Sequence, residues 1–175
     1  MEAPLRRQIW RSVRPVGRLP GNPRRAGSAR MNLESHMNEQ TIDVLARTLW
    51  GEARGEGLAG QIAVGHVIRN RVHDGKDKSW WGEGYIGVCR ARWQFSCWNA
   101  NDPNYVYLSG QKDIPAAQYA QAREAALIAM ENLQPDPTGG ATHYYVAKMK
   151  NPPSWRTNAT RTCVIGSHVF FKNVP

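Results

Sequence analysis

The stretch from Leu45 to Gly57, Leu-Ala-Arg-Thr-Leu-Trp-Gly-Glu-Ala-Arg-Gly-Glu-Gly, constrains the fold of this 175-residue chain more than any other segment. Asn38 suits the N-cap of a helix, and Gly55 and Gly57 would end it. We therefore predict a helix over about residues 39–54. Its apolar residues follow the i, i+3, i+4, i+7 spacing of one helical face and are Ile42, Leu45, Ala46 and Leu49.

Two carboxylates, Glu52 and Glu56, fall next along that apolar face. A buried carboxylate is costly unless it is paired, hydrogen-bonded or protonated. Burial also raises the pKa of a carboxyl group toward the range that a general acid needs. Glu52 is therefore either a structural group that caps or ion-pairs with a neighbouring helix, or an acid catalyst. Spacing alone favours the structural role, because structural ion pairs also perturb carboxylates.

The rest of the chain predicts further helices followed by a small sheet. A second helix is expected over about residues 59–73, and Pro115 opens a third that runs to about Leu133. Gly166-Ser167 is typical of a hairpin turn between two late strands. This order predicts one α+β domain over residues 37–175, mainly helical with a small C-terminal antiparallel sheet. The extended segments are residues 141–146, 162–165 and 168–171.

Residues 75–113, between the second and third helices, show no sustained helical period and are expected to be irregular. Long connections of this kind are usually functional or disordered, and the aromatic density here argues against disorder. A substrate-lining loop region and a satellite aromatic core remain equally open. The segment holds Trp80, Trp81, Tyr85, Trp93, Phe95, Trp98, Tyr105 and Tyr107, with Cys89 and Cys97.

Residues 1–36 hold eight arginines against two glutamates, which is +6 of the chain's net charge of +9. Their proline and glycine content predicts a disordered basic extension that would adhere to an anionic envelope or to nucleic acid. Equally, part of it could reflect the choice of start codon, since Met31 and Met37 are alternative starts. No apolar run approaches the roughly 20 residues of a membrane span, and the N-terminus lacks the apolar core of a secretory signal.

The sequence lacks the motifs of most other kinds of catalytic or binding site. There is no Gly-x-x-x-x-Gly-Lys phosphate loop, and the five histidines show no zinc-ligand spacing. The three cysteines, Cys89, Cys97 and Cys163, have no disulfide-framework spacing, and no motif supports a cysteine nucleophile. We therefore expect neither a metal nor another cofactor, and no specific nucleic-acid site.

A glutamate beside an aromatic, saccharide-sized cleft is typical of glycoside cleavage, in which a protonated carboxyl group donates to the leaving oxygen. Most glycosidases pair this group with a second carboxylate. Glu56, one helical turn from Glu52, is expected to tune its neighbour instead of attacking a sugar. The sequence places none of the other candidates, which are Glu83, Asp102 and Asp113.

The opening motif continues as Gly-x-x-Gly-Gln-x-Ala-Val-x-x-Val-Ile-x-Asn-Arg and ends at Arg71. It resembles the start of the SleB-type cell-wall hydrolase family, which includes spore-cortex-lytic enzymes and related phage endolysins. The resemblance covers about residues 41–171, and several motifs in the right order make it specific. The further motifs are Gln94-Phe95-Ser96, Asp136–Ala141, Tyr144-Tyr145 and Ile165–Phe171.

The resemblance implies a lysozyme-like fold that cleaves the β-1,4 bond between N-acetylmuramic acid and N-acetylglucosamine. Glu52 matches the family's catalytic glutamate, which reverses the structural interpretation of this residue. Family members characteristically act as lytic transglycosylases, in which the glutamate protonates the glycosidic oxygen and then helps the muramic O6 hydroxyl to close an anhydro ring. That reaction requires no second carboxylate. Water in place of the O6 hydroxyl would give a muramidase product, and the sequence does not separate the two.

Supporting roles around Glu52 are expected from the same motifs, with packing in the core or sheet as the alternative for each residue. Amide and hydroxyl groups would hydrogen-bond sugar hydroxyls or acetamido groups, and aromatic rings would stack on sugars. Glu56 is expected to support the site, and Asn70 and Arg71 to close the second helix. The expected substrate-binding residues are Gln94, Phe95, Trp98, Thr142, His143 and Tyr144.

A lone catalytic domain without a secretory signal or a separate peptidoglycan-binding domain resembles a phage endolysin. We therefore expect a monomer made in the cytoplasm, the host's if phage-encoded, that acts on peptidoglycan in the cell wall. The alternative is a non-catalytic module that binds envelope glycans and has no need of an ionisable Glu52.

Overall fold

The computed structural model describes residues 23–75 and 78–175. The chain divides into two compact units, Met1–Glu34 and Ser35–Pro175, and the sites discussed below lie in the second. Most of the predicted basic extension, residues 1–22, lies outside the described residues, so disorder there stays a prediction.

Helix α1 spans Pro23–Ala53 and so begins well before the predicted start at residue 39. Residues 23–36 of the predicted extension thus have helical backbone, while disorder of the extension as a whole stays a prediction. Proline suits the first turn of a helix, and no further proline occurs before Pro103. The intervening Arg, Ala, Met, Leu and Glu residues are good helix formers, so Asn38 lies inside the helix instead of capping it.

Helix α2 spans Gly57–His73, close to its predicted range, and a 3₁₀ turn at Arg54–Glu56 joins it to α1. Gly57 has a φ of +66°, which a residue with a side chain rarely adopts, so the break between the helices requires glycine. Helix α6 spans Ala116–Met130 and packs tightly on α2. A Cβ atom at Gly65 would lie 2.7 Å from the Cβ of Ala129, which shows how closely the two backbones approach.

The segment predicted to be irregular contains several short helices: α3 Lys78–Trp81, α4 Gly84–Arg90, a 3₁₀ turn at Ser96–Trp98, and α5 Tyr105–Leu108. Helices this short cannot show a helical period in the sequence. Val88, Cys89, Phe95, Cys97 and Leu108 from this segment belong to the main hydrophobic core together with α1 and α2. Much of the aromatic region is therefore part of the main core, which was not one of the two expected outcomes.

The C-terminal strands β1 His143–Val146, β2 Thr160–Ile165 and β3 His168–Lys172 form an antiparallel sheet in the order β1-β3-β2. Gly166-Ser167 forms the β2–β3 turn, as predicted, with a φ of +57° at the glycine. The predicted α+β class with a small C-terminal antiparallel sheet is confirmed.

The register of β1 on β3 decides which side chains face the helices. Tyr144 lies opposite Phe170, and His143 lies opposite Phe171. Phe170 packs with Ala63, Val67 and Ala141 in a second core cluster that joins α2 to the sheet. Because neighbouring residues on a strand point to opposite faces, Tyr144 faces the helices, whereas His143 and Tyr145 face away from them. Among the described residues, no helix has both the length and the apolar character needed to cross a membrane.

Candidate active site around Glu52

Glu52 lies in the last turn of α1, where the buried face of that helix meets the inner face of β1. Leu45 and Leu49 on that face are fully buried, while Glu52 itself is half-buried. The hydroxyl of Tyr144 donates a hydrogen bond of 3.0 Å to Oε2 of Glu52. The carboxylate is thus held between the helix end and the sheet while part of it stays open to solvent.

Tyr144 is a hydrogen-bond donor that stays protonated. Burial, and then the nearby Glu52 charge, raise the pKa of its hydroxyl well above the ordinary value. Its ring packs against His168 at 4.9 Å and Phe170 at 5.8 Å between centroids, which fixes the direction of the hydroxyl. The structure therefore brings Tyr144 together with Glu52, whereas its predicted contact with sugar stays a prediction.

Cys97 is a neighbour of Glu52 that the sequence did not point out. Its side chain is 2% exposed and packs on Gly51, where an added Cβ would lie 2.8 Å from the Cβ of Cys97. Burial raises the pKa of the thiol, and the charge and hydrogen bond of Glu52 raise it further. Cys97 is therefore a neutral thiol near the carboxylate, and its close approach to Gly51 explains the glycine that precedes Glu52.

Arg71, near the end of α2, is the second residue that sequence reasoning missed, because it was expected only to close the helix. It is 7% exposed, and its guanidinium lies 4.9 Å from the ring centre of Trp81 and 5.2 Å from that of Phe95. Burial lowers its pKa to about 10, while Tyr144, Cys89 and Glu52 act in the opposite direction. Arg71 therefore stays charged at neutral pH within electrostatic reach of Glu52.

Two acceptors share the Arg71 guanidinium. Its Nε donates to the carbonyl oxygen of Thr142 at 2.8 Å, and its Nη1 donates to Oε1 of Gln94 at 2.5 Å. Since β1 begins just after Thr142, Arg71 links Gln94 to the strand that carries Tyr144. The sequence does contain a signal for this role of Arg71. Arg71 falls on the same helical face as the fully buried Val67 and Ile68, and a charge on a buried face needs hydrogen-bond partners.

Phe95 lies in the main core, so its predicted stacking on a sugar ring stays a prediction. Its ring is 2% exposed, with the guanidinium of Arg71 5.2 Å from the ring centre. Adjacent Gln94 is half-buried and keeps an accessible part. Core packing was the stated alternative for Phe95, and burial of a large ring is the commoner outcome.

Trp98 is half-buried at the edge of a pocket of about 390 Å³ that it lines with Arg90, Tyr105 and Ser109. Its indole Nε1 donates to the hydroxyl of Thr48 at 2.9 Å. Thr48 lies on α1, one helical turn before Glu52. The guanidinium of Arg90 lies 4.8 Å from the ring centre. The ring is thus held in place with part of its surface open, and its stacking on sugar stays a prediction.

Thr142 and His143 do not join Tyr144 at Glu52. The Thr142 hydroxyl lies 3.0 Å from Nδ1 of His143, and its backbone is engaged by Arg71 and by the carbonyl of Phe171. The His143 ring lies on the outer face of β1, 5.5 Å from the Trp81 ring and 5.0 Å from the Trp155 ring. Their expected contact with the substrate stays a prediction, and any such contact by His143 would come from the face opposite Tyr144.

Glu56 binds the turn between β2 and β3. Its Oε2 accepts from the Ser167 backbone N–H at 2.7 Å, and its Oε1 accepts from the Ser167 hydroxyl. These two hydrogen bonds lower the pKa of the Glu56 carboxyl, partly opposed by burial. A Cβ at Gly166 would meet Oε2 of Glu56, and the φ of +57° at this position favours glycine. Glu56 is thus engaged in joining the end of α1 to the sheet.

Asn70 holds the segment that leads into β1. Its Nδ2 donates to Oδ2 of Asp136 and to the carbonyl of Ala141, both at 2.9 Å. Asp136 also accepts from the Thr138 hydroxyl and from the backbone N–H of Gly140. The neighbouring residues Asn70 and Arg71 therefore both hold the segment that precedes β1, through the carbonyls of Ala141 and Thr142.

Asp102 is a further carboxylate near the site. It is near enough to Cys97 to raise the pKa of that thiol, though less than Glu52 does. Its Oδ1 accepts from the backbone N–H of Asn104 at 2.8 Å and from Nδ2 of the same residue at 2.9 Å. Glu83 and Asp113, the other candidates, are exposed. Within the described part of the chain, no group of three or more His, Cys, Asp or Glu side chains is arranged to hold a metal ion.

The chain is similar in sequence to spore cortex-lytic enzymes. The chain is 29% identical over 143 residues to a spore cortex-lytic enzyme of Halalkalibacterium halodurans, and 26% identical over 151 residues to one of Bacillus subtilis. These alignments cover 79% and 86% of this chain but 37% and 44% of the relatives. The chain thus spans less than half the length of these curated relatives.

The fold is similar to two solved structures. The catalytic domain of the Bacillus cereus SleB protein is 28% identical, with a TM-score of 0.58 over 77% of this chain and 91% of that one. The catalytic domain of the germination-specific lytic transglycosylase SleB from Bacillus anthracis is 28% identical, with a TM-score of 0.56 over 75% and 93% of the two chains. Residues 55–171 match the cell wall hydrolase family, a segment that begins just after Glu52 and includes Glu56. With about two thirds of its residues in that match, the chain belongs to the cell wall hydrolase family.

Proposed function

We propose that this protein degrades peptidoglycan by cleaving the β-1,4 bond between N-acetylmuramic acid and N-acetylglucosamine, with Glu52 as the acid and base. The observation that carries the proposal is the half-buried Glu52 carboxylate, held by a Tyr144 hydroxyl that stays protonated. A positioned carboxyl group can donate a proton to a leaving oxygen and take one back.

The proposed reaction is a lytic transglycosylation. Glu52 transfers its proton to the glycosidic oxygen as the bond from that oxygen to C1 of the muramic residue breaks. The resulting Glu52 carboxylate then takes the proton of the muramic O6 hydroxyl while O6 bonds to C1. The products are a free N-acetylglucosamine hydroxyl and a 1,6-anhydro muramic end, and no water is consumed.

The arrangement of the other carboxylates supports a reaction without a second catalytic acid. Glu56 is occupied by Ser167, and Asp102 is engaged by Asn104. The relative from Bacillus anthracis is itself a lytic transglycosylase by name, which supports the same chemistry for this chain.

Replacement of the proposed catalytic group tests the proposal. Glu52→Gln keeps the size of the side chain and an acceptor for Tyr144 but removes the transferable proton. We expect the variant to lose essentially all lysis of purified peptidoglycan, by at least about 1,000-fold, while still sedimenting with it. Glu124→Gln, an exposed change on α6, is the matched control. Unchanged lysis by Glu52→Gln would contradict the proposal, and wall binding without lysis in the wild type would indicate a glycan-binding module.

The finer biological setting stays a prediction. From the sequence we predict a phage endolysin that is made in the cytoplasm and acts as a monomer. We also predict that its basic N-terminus contacts an anionic envelope.

A further inference from the structure

Arg71 fixes the hydrogen-bonding direction of the Gln94 amide. A guanidinium can only donate hydrogen bonds, so the Gln94 atom that faces Nη1 at 2.5 Å must be the carbonyl oxygen. The buried Arg71 is held by Thr142 and lies between Trp81 and Phe95, so it has little freedom to follow a rotating amide. The Gln94 amide is therefore fixed: its oxygen accepts from Arg71, and its NH₂ group points away from Arg71.

The Gln94 NH₂ group is left for a ligand. No residue in the described part of the chain accepts a hydrogen bond from Nε2, and the side chain is only half-buried. The same Arg71 donates to the carbonyl of Thr142, two residues before Tyr144, whose hydroxyl donates to Glu52. The amide therefore lies in the neighbourhood of the proposed reaction. A glutamine held in this way offers a ligand two N–H donors, while its oxygen already accepts from Arg71.

We propose that the NH₂ group of Gln94 donates a hydrogen bond to the acetamido carbonyl of the glycan. Arg71 is then the positioning residue that makes the NH₂ group, and not the oxygen, of this amide face the glycan. The inference rests on the proposed function. A sugar hydroxyl can adapt to a donor or an acceptor, whereas an acetamido carbonyl only accepts, so a fixed donor discriminates in favour of N-acetylated rings. The site thus distinguishes N-acetylated from N-deacetylated glycan.

Gln94→Glu tests the polarity directly. The new carboxylate still accepts from Arg71, so the fold and the Arg71 contacts are retained, but the NH₂ donor is lost. Binding is measured at pH 7 by calorimetry in the Glu52→Gln background, with soluble glycan strands before and after chemical N-deacetylation. We expect affinity for the N-acetylated strands to fall about tenfold, the scale of one lost ligand hydrogen bond opposed by a second acceptor. Affinity for the deacetylated strands should be retained or increased, because their ammonium groups can donate hydrogen bonds to the new carboxylate.

Gln111→Glu adds the same charge at an exposed position of the α5–α6 connection and should leave the preference unchanged. A second variant, Gln94→Met, removes the donor and the acceptor together and should lower the affinity for the N-acetylated strands only. An unchanged preference in Gln94→Glu, or an equal loss on both glycans, would overturn the inference. Binding is read without cleavage, so failure of the wild type to cut either glycan would count against the proposed function alone.

Discussion

At the scale of single residues, the surroundings of Glu52 are groups that stay neutral near neutral pH. The Tyr144 hydroxyl donates to Glu52, the Cys97 thiol packs on the adjacent Gly51, and burial raises the pKa of each. Neither competes with Glu52 for negative charge, which supports the proposal that the Glu52 carboxylate exchanges protons with a substrate. In the proposed mechanism the catalytic machinery is one carboxyl group and the neutral groups around it.

Tyr144→Phe removes the donor to Glu52 but keeps the ring that packs on His168 and Phe170. We expect kcat for peptidoglycan cleavage to fall about tenfold, because a hydrogen bond to a charged group contributes roughly 1.5–3 kcal/mol and part of it acts in the transition state. Tyr145→Phe is the matched control, since that ring lies on the opposite face of β1 and should leave kcat within about twofold. Equal effects of the two changes would show that Tyr144 acts through packing alone.

Asp102→Asn separates transglycosylation from a mechanism with two carboxylates. The amide oxygen can still accept from Asn104, so the local fold should persist. If the muramic O6 hydroxyl is the nucleophile, no second carboxylate is needed, and steady-state cleavage should stay within about threefold of the wild type. A loss of 100-fold or more in the variant would instead make Asp102 a catalytic group.

At the scale of elements, Glu56 joins the 3₁₀ turn after α1 to the β2–β3 turn through Ser167. The pairing spans more than a hundred positions in sequence, and it fixes the helix end that carries Glu52 relative to the sheet that carries Tyr144. Arg71 adds a second connection between α2 and the start of β1 through Thr142. The geometry of the site therefore depends on contacts between elements more than on any one loop.

The Glu56 connection predicts a pH dependence of stability. The pKa of Glu56 is lower in the folded state than in the unfolded chain, so its contribution is full above the unfolded pKa near 4.5 and is lost as the pH falls through the lowered folded value. At pH 7, Glu56→Gln should lower the free energy of unfolding in urea by about 1 kcal/mol, after allowance for its partial exposure. Between pH 5 and pH 3 the wild type should lose more stability than the variant does.

Ser167→Ala in the Glu56→Gln background completes a double-mutant cycle for that pair. A coupling energy near zero, or an equal acid response of the wild type and Glu56→Gln, would contradict the assigned contact. Glu124→Gln on α6 should reproduce the wild-type acid response.

At the scale of the whole molecule, the sequence predicts the class of the fold and the position of Glu52 better than the surroundings of the site. The apolar stripe that ends at Glu52 and the Gly166-Ser167 turn are local signals, and the structure follows both. Arg71 and Cys97 were missed because their roles come from partners that only the fold brings close, such as Thr142, which lies 71 positions from Arg71. The burial of Phe95 has the same origin, since a motif does not tell which side of a short turn meets the core.

The products released from purified peptidoglycan test the central claim most directly. Mass spectrometry of muropeptides from a digest with the wild-type protein should show 1,6-anhydro muramic ends, one water lighter than hydrolysed ends, and a parallel digest with Glu52→Gln should show none. Reducing muramic ends would contradict the transglycosylase step while keeping the cleaved bond. Free stem peptides, or the same products from Glu52→Gln, would contradict the account of the site.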